Sequence, residues 1–128
     1  MNRQLVSSGT KWEILYGYSR AVKTGNIIAV AGTTAVDDAG NIVGENDFYA
    51  QAVFIYQKIE KALQQLGASL NNVIRLRIFI IDMSRHREVL EAQGEFFANI
   101  RPAATIVEIN ALIDDRLLVE IEADAVVE

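Results

Sequence analysis

The stretch Leu118-Val119-Glu120-Ile121-Glu122-Ala123-Asp124-Ala125 alternates strictly between apolar and acidic residues. In a β-strand this turns Val119, Ile121, Ala123 and Ala125 to one face and Glu120, Glu122 and Asp124 to the other. The apolar face needs a core. The acidic face is either solvated or closed by another chain, and the strand alone leaves both open. Upstream, Val73 to Ile81 is almost continuous Val, Ile, Leu and Phe, interrupted by Arg75 and Arg77, and is short enough for a central strand. Counting by twos puts those arginines on one face with Val73, Phe79 and Ile81. Cations mixed with bulky apolar groups suit a subunit interface with charged pockets better than a solvated face.

Upstream of both strands the period changes. From Asp47, the residues Phe48, Ala52, Ile55, Ile59, Ala62, Leu63 and Leu66 fall on one helical face, opposite Gln51, Lys58, Lys61 and Gln65. Asp47 is the expected N-cap and Gly67 the residue beyond the C-terminus. Ser84 is expected to cap a second helix through Val89, Leu90, Phe96 and Phe97, which Pro102 ends. Tyr18 to Val22, the turn Thr24-Gly25-Asn26 and the run Ile27 to Ala31 predict a β-hairpin. Asp37 to Asn41 offers a second turn before a short strand around Ile42. Thr105 to Asn110 and Leu117 to Val127 complete the order β-β-(β)-α-β-α-β-β. With no linker, repeat or low-complexity segment, this predicts one α+β domain over residues 1–128, a mixed sheet with two helices on one face.

Composition narrows the function classes. The chain has 128 residues, 51% hydrophobic and 23% charged, a globular balance able to bury one real core. There is no cysteine, which excludes disulfides, thiolate metal sites and thiol nucleophiles. One histidine, His86, is too few for a His-based metal site or a Ser-His-Asp triad, and no chemistry is assigned to it. A net charge of -5, with no Lys/Arg cluster among aromatics, argues against nucleic acid. No apolar run reaches the roughly 18 residues of a membrane span, so no membrane is expected and the cytoplasm is the expected location.

Three segments carry a resemblance: Gly17-Tyr18-Ser19-Arg20-Ala21-Val22 through Asn26 and Gly32; Pro102-Ala103-Ala104-Thr105-Ile106-Val107-Glu108; and Val119-Glu120-Ile121-Glu122-Ala123. Their order and spacing resemble the Rid family, also called YjgF or reactive intermediate deaminase proteins. The resemblance implies a chorismate-mutase-like α+β fold, a homotrimer with helices outside, and a small-molecule ligand in each cleft between subunits. It also implies hydrolysis of imines and enamines such as 2-aminoacrylate to keto acids and ammonia, with no metal or organic cofactor.

The active members it resembles clamp a substrate carboxylate with an arginine after the Pro-Ala pair; here that position is Ala104. Thr105 keeps the hydroxyl that follows, and Ile106 stands where a cysteine is frequent. Carried over residue by residue, Tyr18, Gly32, Ala104 and Thr105 are implied to bind substrate and Glu120 to orient water. Each has a plainer alternative: Tyr18 an edge-strand aromatic, Gly32 a bulge or close packing, Glu120 a solvated carboxylate. Arg20, two residues beyond Tyr18, is the candidate replacement cation, ahead of Arg75 and Arg101, and a surface salt bridge is its alternative. Trp12-Glu13 is a candidate lid, Trp12 alternatively a packing anchor. Glu120 and Glu122 stand roughly 7 Å apart along a strand, too weak a signal for an acid/base pair.

Two function classes follow. One is a deaminase-like hydrolase acting on an imine other than 2-aminoacrylate. The other is a metabolite-binding or regulatory trimer without chemistry. A ribonuclease or translation inhibitor follows only from older labels on such proteins, and the acidic chain and the lack of a histidine pair speak against it.

Overall fold

The structure, a computed structural model, describes residues 2–128. The elements run β1 (Arg3–Val6), α1 (Lys11–Tyr16), β2 (Ala21–Thr24), β3 (Ile27–Thr33), α2 (Phe48–Gln65), β4 (Val73–Ile80), α3 (His86–Phe97), β5 (Ala103–Glu108) and β6 (Val119–Val126). They build one six-stranded sheet in the order β1-β2-β3-β6-β4-β5. Every pairing is antiparallel except β4 with β5, which α3 links as a crossover. The sheet is mixed, as its sequence predicted.

The alternation of β6 holds. Val119, Ile121, Ala123 and Ala125 are fully buried, while Glu120, Glu122 and Asp124 are half-buried on the other face. Against the apolar face lies α2, packed on β3 and β6, with α3 beside it. Every predicted core position of α2 is buried, Asp47 accepts a hydrogen bond from Ala50 N–H as N-cap, and Gly67 follows with φ of 76°. Neither α2 nor α3 covers the opposite face. There Arg77 reaches Asp124 at 3.0 Å and Glu122 at 3.5 Å across the β4–β6 ladder.

Several expectations change. Val73 does not share a face with Arg75 and Arg77, because the ladder with β6 shifts register between Val73 and Arg75 and turns Val73 into the core. Ile81 lies beyond the strand. Gln51, placed on the outer helix face, is fully buried: its amide donates to Gly44 and Arg116 carbonyls and accepts from Leu118 N–H. The chain before β6 crosses the first turn of α2, and its backbone groups need those partners. Asp82 rather than Ser84 starts the second helical region, accepting from Ser84 N–H before a 3-10 turn that leads into α3. The strand around Ile42 shrinks to a bridge with Val36. Both β1 and α1 were unforeseen.

The aromatic seam between helices makes one test of the core. Tyr56 packs 5.4 Å from Phe96 and 5.2 Å from Phe97, ring centre to ring centre, yet its buried hydroxyl finds no partner among the described residues. Burial pushes that phenol's pKa up. A desolvated hydroxyl without a bond is a net cost, so Tyr56→Phe should raise stability by about 1 kcal/mol in urea unfolding. A loss of that size would mean the hydroxyl is bonded.

Candidate functional site

The site begins where the β3–β6 ladder breaks. Register shifts between Val30 and Thr33, and Gly32 lies in that interval. A Cβ at Gly32 would stand 2.6 Å from Glu120 Oε2 and 2.9 Å from its Cδ, so the carboxyl rests directly on glycine backbone. Both readings of Gly32, bulge and close approach, apply together. Gly32→Ala should displace the Glu120 carboxyl at little cost in stability, because the atoms it crowds are the end of a flexible side chain. A structure of the variant with that carboxyl unmoved would contradict the contact.

Arg20 is anchored beside it. One guanidinium nitrogen, Nη2, donates to the Gly32 carbonyl at 2.6 Å, while the buried Nε has no partner among the described residues. Their two-residue spacing would put Arg20 and Tyr18 on one face of a strand, but β2 starts only at Ala21, so strand parity does not relate them. The two meet because α1 stops one residue earlier, at Gly17 with φ of 72°, where the N–H groups of Gly17 and Tyr18 both donate to Glu13 C=O. Glu13 in turn is buried and accepts from Ser8 N–H and the Ser8 hydroxyl. Burial works against its charge, but the hydrogen bonds from Ser8 and Ser7 and the field of Arg20 hold its pKa below the ordinary value. The predicted lid residue Glu13 is thus a brace for the turn that presents Tyr18.

These pieces frame an open cleft of about 720 Å³, lined by Tyr18, Arg20, Gly32 and Glu120 together with Trp12, Lys58 and Ile113. Trp12 is half exposed and stacks on Tyr16 at 6.0 Å, a wall rather than a buried anchor. Lys58, expected on the outer helix face, folds inward and donates to the carbonyls of Thr34 at 2.9 Å and Val36 at 2.8 Å. Sequence reasoning missed it because a lysine opposite an apolar helix face reads as solvated.

The electrostatics are those of a half-dry site. Burial pushes the Glu120 carboxyl pKa up, with the Arg20 guanidinium pulling it back and Glu122 adding to the rise. Burial lowers the Arg20 pKa, opposed by Glu13, Tyr18 and Glu120. Burial and the like charge of Arg20 push Lys58 down to about 8 against the pull of Asp38 and Asp37. A carboxyl so placed can hold a water and exchange a proton with it, and the adjacent cations attract negative charge.

Four of the six residues named from the sequence therefore come together. Ala104 and Thr105 do not join them within one chain. They lie on the exposed edge strand β5, paired with Leu76 and Arg77. β6 and β4 separate that strand from β3, so three inter-strand spacings, roughly 14 Å, intervene. Arg75 and Arg101, both exposed, do not line the cleft, and His86 spends Nδ1 on the Met83 carbonyl at 2.9 Å.

Comparison with known proteins follows the same outline. The family model for Endoribonuclease L-PSP matches residues 10–127. A crystal structure from Mycobacterium tuberculosis, described as a member of the YjgF/YER057c/UK114 family, superposes with a TM-score of 0.89 at 47% identity, covering 98% of this chain and all of that one. A RutC family protein of Pyrococcus abyssi is 33% identical over 108 residues, 84% of each chain. The 3-aminoacrylate deaminase RutC of Acinetobacter baylyi is 30% identical over 101 residues, 79% of this chain and 80% of its own. By the family model and by these relatives alike, the chain belongs to the endoribonuclease L-PSP family, whose members also carry the names YjgF, RutC and Rid.

Proposed function

We propose that the chain, one domain over residues 1–128, assembles in the cytoplasm as a homotrimer whose intersubunit cleft hydrolyses a small imine, or the enamine that tautomerises to it. The carrying observation is the Glu120 carboxyl seated on Gly32, its pKa raised by burial, facing a cleft with Tyr18 and Arg20. Protonation of an enamine carbon gives the imine. Water then adds to the C=N carbon as Glu120 takes its proton, and the carboxyl returns that proton to nitrogen. The resulting carbinolamine then gives its hydroxyl proton, by way of the same carboxylate, to nitrogen as the C–N bond breaks, so that ammonia leaves and a carbonyl remains. The raised pKa makes Glu120 a stronger base towards water than an ordinary carboxylate.

Assembly is supported by what one chain leaves uncovered. Ile14, Leu15 and Tyr16 of α1 are 89%, 63% and 73% exposed, and Leu5, Ile27 and Val107 are also exposed on the sheet. Burial of such surface favours a closed oligomer. A neighbour's β5 brought against this cleft would add Ala104 and Thr105. A solution mass equal to one chain would sink the proposal.

Ala104 brings no cation, so 2-aminoacrylate is not the favoured substrate. The relative named as a 3-aminoacrylate deaminase fits an enamine of different geometry. The same Ala104 favours a second reading, a trimer that binds a metabolite without chemistry. Keto acid release from a panel of freshly generated imines, 2-aminoacrylate included, separates the two, since a binding protein accelerates none. Nucleic acid stays outside the proposal, because Glu120, Glu122 and Asp124 line one face of an acidic chain.

A further inference from the structure

The fold treats one of the four lysines differently. Lys61 pairs with Asp38 at 3.5 Å, Lys11 lies over the Trp12 ring and Lys23 reaches the Leu66 carbonyl. Lys58 makes no ion pair among the described residues, and its acceptors are two backbone carbonyls, Thr34 at 2.9 Å and Val36 at 2.8 Å. We propose that Lys58 is a nucleophilic amine that forms a Schiff base with the carbonyl carbon of a small uncharged ketone or aldehyde held in the cleft. This activity goes beyond imine hydrolysis and does not depend on it.

The geometry is that of a held amine. A neutral amine carries two N–H groups and one lone pair. Both N–H groups meet the Thr34 and Val36 carbonyls, which leaves the lone pair for an electrophilic carbon. An ammonium has a third N–H, for which the described residues supply no acceptor. The two carbonyls are themselves fixed: Val36 N–H donates to Thr34 C=O at 2.9 Å, and the fully buried Ala35 between them accepts from Val43 N–H. Lys58 stands on the long helix α2 and lines the same cleft as Tyr18 and Glu120.

The surrounding charges act in the same direction. Facing Lys58 are Arg20, Asp37, Asp38, Lys61 of its own helix and, lining the same cleft, Glu120. Asp37 accepts from Ala39 and Asn41 N–H within its own turn, and Asp38 is taken by Lys61. Burial and the like charge of Arg20 oppose the charge on Lys58 and bring its pKa down to about 8. At pH 7 about one Lys58 in ten is then free amine, against roughly one in a few thousand for an ordinary lysine. Glu13 and Glu120 already balance Arg20, so no positive charge is left over for a carboxylate. The ligand is therefore uncharged, and Trp12, Tyr18 and Ile113 offer it apolar walls.

The step balances without a further reagent. The lone pair adds to the carbonyl carbon and a nitrogen proton passes to the former carbonyl oxygen, giving a carbinolamine. That species loses water to leave C=N–Lys58. A protonated Glu120 carboxyl can give the departing hydroxyl its proton and take the one that nitrogen releases.

The test is reductive trapping of the full chain at pH 7 with 2-butanone and cyanoborohydride, which reduces the C=N bond to a stable secondary amine, followed by peptide mass mapping. Lys58 should carry at least about tenfold more label than Lys11, Lys23 or Lys61, and unfolding in urea should abolish the preference. As pH rises, labelling of Lys58 should climb and level off above about 8, while that of the other three goes on rising. With pyruvate in place of 2-butanone the preference should shrink. Label on Lys58 no greater than on the other three, or a preference that survives unfolding, overturns the amine. A larger preference with pyruvate overturns the uncharged ligand. Imine turnover that needs Glu120, on a chain whose Lys58 is not preferred, removes the amine and leaves the hydrolase. A Lys58 adduct on a chain that turns over no imine keeps the amine and removes the hydrolase.

Discussion

Glu120→Gln is expected to lower kcat/KM for imine hydrolysis by on the order of a thousandfold while leaving the fold intact. The amide keeps the size of the carboxyl and its seat on Gly32 but cannot take a proton from water. Turnover within a few-fold of the wild type would remove Glu120 from the chemistry. The pH profile gives a second reading. Hydrolysis through the carboxylate should rise with pH through the elevated pKa of Glu120.

The same variant has a stability signature of opposite sense. A carboxyl whose folded pKa lies above its unfolded one binds protons more tightly in the native state. Its contribution is therefore full below the unfolded pKa and is lost as pH rises through the folded one. At neutral pH the charged Glu120 weakens the fold, and Glu120→Gln should melt no lower than the wild type. An activity lost with no stability lost separates a reacting group from a structural one.

Gln51→Leu should have the largest effect on stability, about 3 to 5 kcal/mol, with a melting temperature lower by roughly 10 °C or more. Its amide serves two carbonyls and one N–H from segments distant in sequence, and leucine serves none. Gln65→Leu on the exposed side of the same helix should change stability by no more than about 0.5 kcal/mol. Equal losses in the two would mean that the Gln51 network holds nothing together.

Those two glutamines show where sequence reading stops. The 3.6 period that found α2 placed seven residues in the core, all of them buried, because apolar burial leaves a repeating pattern, but it passed over the fully buried Tyr56. Gln51 leaves none: its partners lie at positions 44, 116 and 118, and only the folded chain brings them together. β6 was legible from period two, whereas Val73 was misplaced because a register shift erases parity. The six-residue α1 is too short to display a period, and its exposed Ile14, Leu15 and Tyr16 break the amphipathic rule. Of the site, Tyr18, Gly32 and Glu120 were identifiable by likeness to a family, and Arg20 by its spacing from Tyr18. Lys58 was not, since nothing local distinguishes an inward lysine from a solvated one.

The place of β6 in the sheet also sets an order of events. It lies between β3 and β4, yet it follows every other strand along the chain. During synthesis the β1–β2–β3 group and the β4–β5 pair therefore exist with facing, unpaired edges before the strand that joins them emerges. Pairing β3 with β6 closes a loop of more than eighty residues, a slow, non-local step. The strand that completes the sheet is also the one that carries Glu120, so a chain interrupted before it possesses neither a closed core nor the carboxylate.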